Sequence, residues 1–161
     1  MDSRLLIRLR LFAGIGGPVF FFTAVAIVGS LRPDYSHVNQ FISELGEAGG
    51  HFAWAMNYLG FMMSAALIFV FVLVLRERLP RTALNLLGTA LFRTASWRRF
   101  GIYSLVTAVS SLVLLVAMVE SESSREGTGM YQRLYLGVLF LWFMAISVRQ
   151  LIEFKDSDSS Q

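Results

Sequence analysis

Apolar residues in this 161-residue chain gather into four long runs, and the polar residues between them set its organisation. Residues 11–31 hold no charge over 21 positions. At about 1.5 Å per residue, a helix of that length crosses a hydrocarbon core of about 30 Å. Residues 52–75, 101–119 and 134–152 form the other three runs. This pattern predicts an all-α membrane protein with four transmembrane helices in a single domain over residues 1–152. The acidic, Ser-rich tail at 153–161 is expected to be disordered.

The polar segments are less uniform. Residues 31–51, LRPDYSHVNQFISELGEAGGH, carry both histidines. Arg32-Pro33 ends the first helix, because proline lacks a donor and biases its predecessor away from helix. Asp34-Tyr35-Ser36 reads as a turn. Val38, Phe41, Ile42 and Leu45 then recur at helical spacing, which predicts a short amphipathic helix over 36–45 at the outer interface, N-capped by Ser36 and closed by Gly46. Glu44 lies on it beside Ser43. A carboxylate near hydrocarbon is costly unless paired, so Arg32 and Arg133 are its expected partners. Residues 76–100 hold six arginines against Glu77 alone. The apolar part of that stretch, 83–92, is too short to span and is expected to lie as an amphipathic helix on the cytoplasmic membrane surface, with a folded-back polar loop as the alternative. Gly14, Gly16, Gly17 and Pro18 sit early in the first span, where a small-residue face allows close helix contact or a kink, and small or weakly polar residues share a face in the next two: Asn57, Gly60 and Ser64 in the second, Ser104, Thr107 and Ser111 in the third. Such stripes predict helix contacts.

Composition narrows the class. With 55% hydrophobic residues and a mean hydropathy of +0.59, the chain is too apolar for a soluble core of its size. Its net charge of +3 does not point to nucleic acid, since the arginines flank apolar runs instead of forming a stripe with aromatics. Eleven of the 14 Lys and Arg fall in the amino terminus, the 76–100 segment and the carboxyl end. The positive-inside rule then places both termini in the cytoplasm and the 31–51 and 120–133 segments on the outer face of a cell inner (cytoplasmic) membrane. A basic start before an apolar run also describes a signal peptide cleaved after Ala24-Val25-Ala26, but the run continues beyond that point. The absence of cysteine excludes disulfides, thiolate catalysis and Cys-ligated metal.

Up-down connection of four helices sets the start of the fourth span level with the end of the first, so the 31–51 loop and Tyr131-Gln132-Arg133 are able to meet. The candidate outer cluster is Arg32, Tyr35, Ser36, Ser43, Glu44, His51, Gln132 and Arg133. Arg32-Pro33-Asp34-Tyr35-Ser36 followed by Ile42-Ser43-Glu44-Leu45-Gly46 resembles the Arg-Pro-x-Tyr-Ser…Ile-Ser-Glu-Leu-Gly loop of the family called domain of unknown function 998. Gly129-Met130-Tyr131-Gln132-Arg133-Leu134, with Trp142 beyond it, is similar to the opening of that family's final helix. The resemblance implies a small prokaryotic multi-spanning membrane protein, here in a shortened form, and brings no assigned activity.

A non-catalytic accessory role is expected, with membrane lipids and either a protein partner or a second copy of the chain as partners. One alternative is an enzyme acting on a lipid-linked substrate at the outer leaflet, for which His37, His51, Ser43 and Glu44 offer the residue types. It requires Glu44 and a histidine within hydrogen-bond reach. Another is a haem- or chlorophyll-binding bundle. No cofactor is expected, but b-type haem or chlorophyll would take His51 at the head of the second span as its ligand. A transporter or channel would need polar groups within the spans, which offer little beyond Asn57, hydroxyls and Arg149.

Overall fold

The computed structural model describes residues 3–78 and 95–159, which contain helices and turns but no strand. Helices α1 (Ser3–Ser30), α2 (Ala53–Arg78), α3 (Ala95–Ser121) and α4 (Thr128–Ser159) are each long and apolar enough to cross a membrane. The chain is therefore a multi-pass helical membrane protein. The expected surface helix at 83–92 lies outside the described residues.

Helix α1 is the central element, with 44% of its apolar window buried against 22%, 11% and 17% for α2, α3 and α4. It packs on α2 along one side and on α4 along the other, and α3 packs on α4. Small residues make these approaches possible. A Cβ on Gly14 would lie 2.7 Å from the ring of the fully buried Phe71, and one on Gly17 would lie 2.9 Å from Ile68 and 3.3 Å from the Ser64 carbonyl. On the face predicted from Ser104, the Trp142 indole donates to the Ser104 hydroxyl at 2.8 Å, and that hydroxyl donates to the Phe100 carbonyl at 2.9 Å. Ser147 similarly donates to the Leu11 carbonyl, pinning α4 to α1.

Two apolar clusters form along α1. Near the termini, Leu11, Phe71, Val74, Phe100, Ile146 and Phe154 pack with Trp97 and Trp142. Toward the opposite end, Phe21, Val25, Val28 and Met56 pack with Tyr35, Ile42 and Leu45 of the loop. Phe140 joins this second cluster edge-on to Phe21 at 5.3 Å. Within α2, residues Met56–Met63 are wound as a π-helix, a form often found next to functional features.

Helix α4 continues through the described part of the tail, to Ser159. Arg149 donates to Glu153 one turn on at 3.1 Å, and Gln150 donates to the other Glu153 oxygen at 2.9 Å. Phe154 is buried where the Arg8 and Arg78 guanidiniums stand 5.5 and 4.9 Å from its ring centre. Composition alone hides these contacts, since the acids that look like a solvated tail are one-turn partners of residues inside the span.

The Gly14 contact predicts a specific asymmetry. Gly14→Ala should lower the thermal midpoint in detergent by an amount equivalent to about 1–3 kcal/mol, because the added methyl meets Phe71 and the ring has nowhere to go. Gly16→Ala, with nothing within 4 Å of the new atom, should leave the midpoint unchanged or raise it. Equal shifts in the two variants would remove close packing of α1 on α2 as the cause.

Candidate functional site

Helix α1 closes with Leu31 N–H on the Ile27 carbonyl at 3.1 Å and Arg32 N–H on the Gly29 carbonyl at 3.4 Å, just before Pro33. The loop then makes turns up to Gln40 and only one short helix, a 3-10 helix at Ile42–Gly46, in place of the α-helix expected over 36–45. Side chains compete with helical hydrogen bonding here. The Gln40 carboxamide oxygen accepts from the Ser36 N–H at 2.6 Å, and the Ser36 hydroxyl accepts from the Asn39 N–H at 3.3 Å. Ile42 and Leu45, three residues apart, share one face of a 3-10 turn, and both are fully buried. Each contributes about 1.5–3 kcal/mol by burial.

This loop lies across the start of α4. The first amides of any helix lack intrahelical partners, and here the loop supplies some of them. Met130 N–H donates to the Val38 carbonyl at 2.9 Å, while Gly127 N–H, just before α4, donates to the Asn39 side chain at 3.1 Å. In return the Gln132 carboxamide accepts from Ile42 N–H at 2.7 Å. Gly129 is needed for the approach, since a Cβ there would overlap the Gln40 carbonyl.

Arg133 is the hub. One end of its guanidinium donates to the carbonyls of Gly129 at 2.7 Å and Gln40 at 3.2 Å. The other end donates to the Tyr35 phenol and to Nδ1 of His37 at 3.2 Å. Arginine only donates, so His37 Nδ1 must accept and the imidazole carries its proton on Nε2. The ring lies against Gly29, where any side chain would collide with it. Burial, reinforced by the Arg133 charge, lowers the His37 pKa below its usual 6.5. Burial raises that of Tyr35 despite the opposing pull of Arg133, so the phenol stays neutral and is placed to donate to the Phe41 carbonyl at 3.0 Å.

The loop and α4 thus bring together Tyr35, Ser36, Glu44, Gln132 and Arg133, but not in the pairs expected. Glu44 is held by the Gln40 carboxamide at 3.0 Å and the Phe41 N–H at 3.0 Å, with Arg125 at 3.8 Å as its nearest cation. Arg32 donates to the Glu44 backbone carbonyl instead of the carboxylate. Ser43 and His51 are exposed and stand apart from the hub. The sequence reading missed His37 as a member, and also Gln40, Asn39 and Gly129. Gln40 and Glu44 are four residues apart, a spacing that signals a side-chain pair, whereas Gly129 had no signal until its neighbour was known. Glu44 and His37 each bond to other groups, and among the described residues no histidine is hydrogen-bonded to Glu44.

His37 gives the site a pH dependence whose sign is fixed. Its folded pKa lies below the unfolded value, so protons favour the unfolded chain: stability is unaffected by this group above about pH 6.5 and falls as the pH drops through 6.5 toward the lowered folded value. The groups facing it are Arg133 and Tyr35, with Gly29 beneath the ring. Thermal midpoints in detergent should decline between about pH 7 and pH 5, and His37→Asn, which keeps an acceptor without a titrating proton, should flatten that decline. An unchanged slope in the variant would remove His37 from the account.

A family model described as "Protein of unknown function (DUF998)" matches residues 15–96. No curated protein and no solved structure matches the chain. The matched stretch takes in most of α1, the whole 31–51 loop and α2, while Gln132 and Arg133 lie beyond it. Since it covers just over half of the chain, this four-span membrane protein belongs to the DUF998 family of proteins of unknown function.

Proposed function

We propose that this protein is a non-catalytic accessory protein of a prokaryotic cytoplasmic membrane, with both termini in the cytoplasm. Its outer face recognises a protein partner or a lipid headgroup as part of a larger assembly. The observation that carries the reading is the mutual engagement of the cluster's polar groups. Tyr35, His37, Glu44, Gln132 and Arg133 hold one another and the loop backbone, so the groups suited to chemistry are occupied in fixing shape. What the loop end offers outward is a rigid polar surface bearing Asp34, Ser43, Glu47, His51 and Arg125. Preformed surfaces bind without paying to order themselves, which suits recognition.

Two further features support the reading. Arg4, Arg8, Arg10, Arg76 and Arg78 stand at the end that holds the termini, as the positive-inside rule asks of a cytoplasmic side. Among the described residues helix α3 packs mainly on α4 and leaves Ile102, Leu105, Val109, Leu112, Val116 and Val119 uncovered, the kind of face that lipid or another subunit covers.

The test is a mild-detergent affinity purification from the native membrane, run on a native gel, with Glu44→Ala and Glu122→Ala in parallel. Glu44→Ala removes the acceptor of Phe41 N–H and should cost about 1–3 kcal/mol of stability and most of the co-migrating assembly. Glu122, exposed in the α3–α4 turn, should tolerate the change. Loss of the assembly from both variants alike, or migration of the wild-type chain alone, would sink the accessory reading.

A further inference from the structure

Outside the polar cluster, one cleft opens at the same end of the bundle. It lies between the last turns of α1 and the start of α2, has a volume of about 200 Å³, and is lined by Phe20, Thr23, Ile27, Leu31, Phe52 and Leu59 among others. Even Thr23 presents its methyl group, because its hydroxyl donates to the Val19 carbonyl at 2.8 Å. An apolar cleft of this kind holds hydrocarbon, not water. Its outer rim is polar. Arg32 directly follows the lining residue Leu31, and His51 directly precedes the lining residue Phe52. The Arg32 guanidinium lies over Gly50, whose added Cβ would be 3.3 Å from Nη1, and among the described residues it spends one of its five N–H groups, on the Glu44 carbonyl. Phe52 is held in the left-handed region at φ 59°, a strained conformation for a non-glycine residue, and sets the outer edge of the cleft.

We propose that this cleft binds one glycerophospholipid, with an acyl chain against Thr23, Ile27 and Leu59 and the phosphate on Arg32. Apolar lining below and a cation with free donors above match the two halves of such a molecule in the order a membrane presents them. A transmembrane helix of another protein would fill the apolar part but offer nothing to Arg32. The proposal rests on the reading above only in taking this end as the outer one, which decides the leaflet and not the binding.

The whole chain, exchanged into detergent with phosphatidylglycerol, dipalmitoylglycerol or glycerol 3-phosphate, is examined by native mass spectrometry. One phosphatidylglycerol should be retained at detergent concentrations that strip the other two probes. Thr23→Trp, an exposed position whose new ring fills the cleft, should weaken retention at least about tenfold with an unchanged thermal midpoint. Arg32→Gln should bring phosphatidylglycerol down to the level of dipalmitoylglycerol. Retention unaffected by Thr23→Trp places the lipid elsewhere and overturns the proposal. Equal retention of the phosphate-free lipid by the wild type overturns the assignment of Arg32, and retention of glycerol 3-phosphate alone identifies a free-phosphate site with no role for the cleft. Thr23→Trp should also leave any co-migrating assembly intact, so a lost lipid with a retained partner, or the reverse, tells this proposal from the accessory reading.

Discussion

Where the chain leaves hydrocarbon, each backbone amide and carbonyl must find a partner within the protein or face a cost of several kcal/mol, and Arg133 is the residue through which this protein meets that constraint. Its guanidinium reaches two carbonyls, a phenol and an imidazole that come from α4 itself and from the 31–51 loop. Lysine would not serve equally, because its three donors radiate from one point and cannot address groups on two sides of a plane. The same docking satisfies the start of α4, whose Met130 amide takes the Val38 carbonyl. Loop and helix each complete what the other lacks.

Arginine is used differently at the two ends of α4. At the loop end it is an interior partner whose two terminal nitrogens meet acceptors. Toward the termini, Arg149 lies 3.8 Å from the centre of the Trp97 ring while also holding Glu153, and Arg8 and Arg78 approach Phe154. Aromatic faces let a cation stay near hydrocarbon without a dedicated polar pocket. Trp97 thereby links Arg149 to the apolar cluster around Phe71 and Phe100, in which Trp142 also packs. With α1 common to both clusters, the close approach at Gly14 and Gly17 transmits fit from one end to the other.

The four spans were legible because hydropathy over some twenty residues is a strong signal, and each observed helix contains its predicted run to within one residue. Helix ends were not, since α1 reaches back to Ser3 and α4 onward to Ser159 through basic or acidic residues that pair along the helix or rest on rings. In the site, the participation of Tyr35, Glu44, Gln132 and Arg133 was readable from the motif and from up-down topology. The partners were not. Charge matching suggested Arg32 or Arg133 for Glu44, yet the carboxylate takes a carboxamide and an amide one turn away, because local acceptors and donors in a tight loop cost less chain entropy than a distant ion pair. The spacing of Val38, Phe41, Ile42 and Leu45 fitted an α-helix, but only Ile42 and Leu45 are buried, and a separation of three fits a 3-10 turn as well.

The family match ends within the first residues of α3, yet the loop at its centre is incomplete without α4. A chain carrying the matched stretch alone would leave the Ile42 amide without Gln132, and the Tyr35 phenol, His37 Nδ1 and Gln40 carbonyl without Arg133. Each orphaned buried group costs about 1–3 kcal/mol, so several together approach the whole stability of a small domain. Water relieves those that reach the surface, but Ile42 is fully buried beside its amide, and Tyr35 nearly so. The 31–51 loop therefore holds its shape as half of a pair with the start of α4, and not as a loop motif by itself.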